Sequence, residues 1–143
     1  MSETISSASE LPEPLSSEAR PCIVVGYSPR PEGHAALERA VSEAKLRSAA
    51  LIVVNTSPDA EAAGLADELA ASGLSYEIRT AADAQGSAEE LLRTAETTAA
   101  DFIVIGLRRR SPVGKLLLGS NAQRVLLDAA CPVLAVKADP DTI

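Results

Sequence analysis

The chain has no Trp, one Phe and two Tyr among its 143 residues, which excludes a core built from stacked aromatic rings. Its 46% apolar content comes instead from Ala, Leu, Val and Ile, as expected for aliphatic helices packed on a sheet. One His and two Cys, without CxxC spacing, exclude a transition-metal centre made from several imidazole or thiolate ligands. Cys22 and Cys131 each adjoin an expected buried strand and read as core packing. No apolar run approaches the roughly 20 residues that span a bilayer, and Met1 to Pro21 lacks the basic start and apolar centre of a signal peptide. The expectation is a soluble, cytoplasmic protein.

Positive charge is scarce overall, with a formal net charge of −7, which argues against general nucleic-acid affinity. What there is of it is concentrated. From Phe102 to Leu127 there is no acid, against Arg108, Arg109, Arg110, Lys115 and Arg124, so this stretch carries +5 and the remainder −12. Such separation suits a local anion site in an acidic protein; a solvated loop or partner-contact patch is the plainer alternative.

The pattern of elements predicts one domain over residues 21–138, with a polar tail at 1–20, rich in Ser, Glu and Pro, and a short tail at 139–143. Cys22–Val25, Leu51–Val54, Phe102–Ile105 and Val133–Val136 are compact apolar runs of the kind that form strands buried on both faces. Tyr76–Arg79 alternates polar and apolar residues, predicting an edge strand. Between the runs lie helical stripes. Gly33 opens one with Ala36, Leu37, Ala40, Val41 and Ala44 inward; a second aligns Ala62, Leu65, Ala66 and Leu69 and ends at Gly73. Ser87–Glu90 and Ser120–Gln123 have the form of capping boxes, the latter opening a helix with Val125, Leu126 and Ala129 inward. Five strands alternating with four helices imply right-handed crossovers and a doubly wound α/β fold with a parallel sheet.

Ligands of such sheets sit beyond the carboxyl ends of the strands, where the connections switch sides. Gly106 is expected there, leaving room for a ligand to approach the backbone, and Gly119–Ser120 stands at a helix N-terminus, which favours an anion. A P-loop is ruled out, because GxxxxGK would need Gly where Arg109 stands and Ser or Thr where Leu116 stands. Ser120 is explained either by capping alone or by capping plus phosphate contact. His34 reads as a surface residue.

Residues 106–127, with Gly106, Gly119 and Ser120 in place, followed by Cys131-Pro-Val-Leu-Ala-Val-Lys137, resemble the universal stress protein family over about residues 22–137. The resemblance implies five parallel strands in order 3-2-1-4-5. It also implies an adenine nucleotide (ATP, ADP, AMP or cyclic AMP) at the carboxyl ends of the first and fourth strands, held through Gly-x2-Gly-x9-Gly-Ser/Thr. Gly106, Gly119 and Ser120 match three of its four positions, with the Asn121 amide beside them. Arg109 replaces the second glycine, and its guanidinium is suited to binding phosphate directly, as is that of Arg108. Ser28 replaces the Asp that nucleotide-binding relatives often carry, next to Tyr27, while Thr56 and Ile105 match positions flanking adenine.

The strand ends and basic loop offer Tyr27, Ser28, Asn55, Ser111 and arginines, with no carboxylate, so the chain is expected to bind rather than catalyse. A weak nucleotidase is the least favoured reading, and Mg²⁺, if it accompanies the nucleotide, would take nearly all its ligands from phosphates and water. A nucleotide-free dimeric interaction protein of the same fold is the alternative function. Val133, Leu134, Ala135 and Val136 form an edge strand apolar on both faces, which predicts a homodimer through that edge.

Overall fold

A computed structural model describes residues 21–57, 63–83, 86–109 and 116–138. The expected tails at 1–20 and 139–143, and Arg110, Ser111 and Lys115, lie outside the described residues. The elements run β1 (Cys22–Tyr27), α1 (Pro31–Arg47), β2 (Ala50–Asn55), α2 (Ala63–Ser72), β3 (Tyr76–Thr80), α3 (Ser87–Thr97), β4 (Phe102–Arg109), α4 (Ser120–Asp128) and β5 (Val133–Lys137). The strands pair in parallel in the order β3-β2-β1-β4-β5, the 3-2-1-4-5 sheet expected from the sequence. A two-residue strand, Leu116–Leu117, adds antiparallel to Arg108 and Arg109.

Successive side chains of a strand point to opposite faces, so each inner strand serves two cores. Ile23, Val25 and Tyr27 of β1 join Leu51, Val53 and Val104 under α1 and α2. Cys22 and Val24 join Ile52, Val54, Ile103, Ile105 and Leu107 under α3 and α4. This double burial is why β1, β2 and β4 read as continuous apolar runs. Leu37 and Leu69 anchor the first layer at 1% and 0% exposure, each contributing about 1.5–3 kcal/mol by leaving water. At the two edges, β3 and β5 are half-buried along their length.

Several boundaries differ from the sequence expectation. Helix α1 starts at Pro31 rather than Gly33, because proline at the first helical position gives up no hydrogen bond. Strand β4 does not end at Gly106: Gly106 pairs with Val136 and Leu107 with Lys137, so Arg108 and Arg109 are strand residues. Neither expected capping box forms. Gly86 and Gly119 occupy the N-cap positions of α3 and α4, which places Ser87 and Ser120 one residue inside. Just ahead of α3 the carboxylate of Asp83 accepts the Gly86 N–H at 2.7 Å, which shapes the entering turn without capping the helix amides. Along α4, Val125 is buried, but Leu126 is 38% exposed, since a nine-residue helix resting on α3 turns only a narrow stripe inward. Helix α2 ends as expected, at Gly73 with φ +80°.

Candidate functional site

β1 hands the chain through α1 to β2 on one side, while β4 lies on its other side, so a crevice opens where the connections part. The crevice is a cleft of about 620 Å³, within the size range of small-molecule sites. Its floor is apolar: Leu91 from α3, Ile105 and Leu107 from β4, and Val125 from α4. These side chains all belong to the α3/α4 face of the sheet. The rim is polar, with Ser28, Arg30, Glu32, Thr56 and Arg108 facing Ser120 and Asn121.

The first turn of α1 reaches this cleft because two glycines let it in. A Cβ on Gly33 would lie 2.0 Å from the main-chain oxygen of Ser28, and one on Gly106 would lie 2.0 Å from that of Glu32. The room that Gly106 leaves is therefore filled by the chain's own backbone, which corrects the expectation that it is kept for a ligand. Gly119 is the opposite case. Among the described residues, nothing lies within 4 Å of a Cβ built there. It holds an extended N-cap conformation, φ −68° and ψ 167°, and the turn that follows lines the cleft through Ser120, Asn121 and Ala122. The first amides of a helix have no intrahelical acceptors, and the positive end of the macrodipole lies there, so this wall of the cleft favours an anion.

Two charged groups meet at the rim. Arg108 Nε donates to Glu32 Oε2 at 3.3 Å, with the arginine 45% and the glutamate 16% exposed. Glu32 corrects the expectation of a site without a carboxylate. Its position in the first turn after Pro31 looks like an ordinary acid at a helix start, and only the packing of α1 against β4 turns it towards the site. Arg30, also missed, stands at the N-cap of α1 and lines the cleft. Thr56 lines it too, but its N–H and hydroxyl both donate to the Tyr27 carbonyl, at 2.8 and 3.0 Å, tying the ends of β1 and β2 together.

Tyr27 itself does not line the cleft. It shares the facing of Ile23 and Val25, so its ring enters the α1/α2 core and meets His34 edge-on, with centroids 5.4 Å apart. Burial there pushes its phenol pKa up, with the negative charge of Glu68 adding to the effect. His34 is exposed, as expected. Arg109 is placed by its backbone, paired with Leu116. Of the ten sequence candidates, Ser28, Thr56, Ile105, Gly106, Arg108, Gly119, Ser120 and Asn121 converge on the cleft. A larger hollow of about 720 Å³ lies between α1 and the end of β5, lined by Pro29, Pro31 and His34 but by no residue of α4. Among the described residues, no group of three His, Cys, Asp or Glu could hold a metal ion.

The profile of the universal stress protein family matches residues 22–137. The chain belongs to that family. It is similar to a universal stress protein of Mycolicibacterium smegmatis, at 46% identity over 126 residues that cover 80% of this chain and 96% of the relative. Among solved structures, a universal stress protein from Archaeoglobus fulgidus matches with TM-score 0.63 and 27% identity, covering 82% of this chain and 98% of that one. A universal stress protein in complex with cAMP matches with TM-score 0.64 and 25% identity, covering 84% of this chain and 98% of that one. The five-stranded order of this chain is thus the family's fold.

Proposed function

We propose that this universal stress protein is a regulatory protein of the stress response that binds an adenine nucleotide without chemically altering it. The observation that carries this reading is the cleft itself, with an apolar floor suited to a base and the first turn of α4 beside Arg108 for phosphates. The relative in complex with cAMP supports the ligand class, which includes ATP, ADP, AMP and cyclic AMP. Ser28, Thr56, Ile105, Gly119, Ser120, Asn121, Arg108 and Arg109 are the proposed contacts. Binding without catalysis is favoured because, among the described lining residues, Glu32 is a lone carboxylate with no His, Cys or second acid beside it. Mg²⁺ would accordingly arrive with the phosphates, taking water and phosphate oxygens as ligands. Nucleotide acts on the protein only through different affinity for two states, and a symmetric dimer paired through β5 in the cytoplasm is the assembly in which we place it.

Calorimetric titration with the four nucleotides, with and without Mg²⁺, tests this on the wild type and Gly119→Asp. Asp is a favoured N-cap residue and, among the described residues, meets nothing within 4 Å of its Cβ at 119, so the variant should keep its stability while opposing a phosphate with like charge. Saturable binding lost in the variant is the expected result. Absence of heat with every nucleotide favours the second reading, a nucleotide-free dimeric interaction protein, for which the internal pairing of Arg108 with Glu32 is the specific support.

A further inference from the structure

The backbone of Glu32 is locked at the rim of the cleft. Its carbonyl is packed against Gly106, and the next residue, Gly33, is packed against the Ser28 backbone, so the base of the side chain is fixed between β1 and β4. The carboxylate holds Arg108 through a partly exposed ion pair, a kind of contact that contributes little to stability because water competes for both charges. An incoming phosphate can therefore take Arg108 away with little loss. The carboxylate then remains in the cleft without its arginine partner, and each further phosphate on the ligand meets more repulsion from it.

We propose that Glu32 is a specificity-determining residue that sets how much negative charge the cleft accepts, favouring nucleotides with one phosphate over those with two or three. This rests on the nucleotide-binding reading above. Arg108 is the partner through which it acts, being withheld from the ligand while paired and released only in exchange for an exposed carboxylate.

The test is calorimetric titration of the wild type, Glu32→Gln and Glu32→Gln/Arg108→Gln with AMP, ADP, ATP and inorganic tripolyphosphate, at two ionic strengths. Gln preserves size and removes charge, and thermal melts establish that the variants fold. The wild type should bind AMP more tightly than ATP. Glu32→Gln should tighten ATP about tenfold and AMP about threefold or less, the gain shrinking with salt and with loss of Arg108. Equal changes for all three nucleotides, or weaker ATP binding, would overturn the proposal while leaving nucleotide binding intact. If tripolyphosphate tightens in Glu32→Gln but no nucleotide binds any form, the charge gate stands and the nucleotide reading falls. If no ligand binds any form, both fall.

Discussion

The Cα of Gly106 faces the main-chain oxygen of Glu32 so closely that a Cβ at position 106 would sit 2.0 Å from it. Both partners are backbone, one in a central strand and the other in the first turn of a helix, so neither can yield as a side-chain tip can. Gly106→Ala should therefore cost about 2–3 kcal/mol in urea unfolding, at the upper end of overpacking effects. Gly119→Ala, with no described residue within 4 Å of the added Cβ and an ordinary negative φ, should lose no more than about 1 kcal/mol, the usual penalty of alanine at an N-cap. Equal stability for both variants would show that α1 does not seat against β4 as described.

Tyr27→Phe should bind nucleotide as the wild type does. The ring lies in the core under α1 and α2, on the far side of the sheet from the apolar floor of the cleft. A loss of affinity beyond about threefold, with melting temperature preserved, would place the hydroxyl at the ligand instead.

Cys22 is buried at 1% exposure, and burial raises its thiol pKa against the opposing hydrogen bond with Thr98. The folded protein thus holds this proton more tightly than the unfolded chain does. Stability from that difference is complete below the ordinary thiol value, about 8.5, and is lost as pH climbs from there through the folded value. Melting temperatures measured from about pH 8 to 10.5 should fall more steeply for wild type than for Cys22→Ala. Parallel slopes would mean the thiol titrates alike in both states.

The β5 edge should carry a second copy. Light scattering at micromolar concentration should give twice the 14.8 kDa chain mass, and Val136→Lys should return the protein to monomer. Val136 is the choice because it sits on the half-buried edge strand and lines the hollow beside α1. A wild-type monomer would defeat the claim.

The strands were legible in advance because a sheet buried on both faces demands uninterrupted aliphatic runs, and Ile23–Val25, Leu51–Val54 and Ile103–Ile105 supply them. Gly119 and Ser120 were legible because a glycine before a helical stripe after a basic stretch marks a helix start wherever the chain goes. Tyr27 was misplaced for want of a facing: a run apolar at every position does not reveal which residues look which way. Leu126 was misjudged for a related reason, since periodicity gives a helix's apolar face but not how much of that face a neighbour covers.

By itself, the sequence determined the alternation of strands and helices, the aliphatic character of the two layers and the concentration of positive charge ahead of α4, all of which are properties of neighbours along the chain. Only the tertiary structure decided that Glu32, 76 positions from Arg108, shares its ion pair, and that the space at Gly106 belongs to α1. Such contacts join residues distant in sequence, and their geometry is set by how a helix seats on a sheet, which no local pattern encodes.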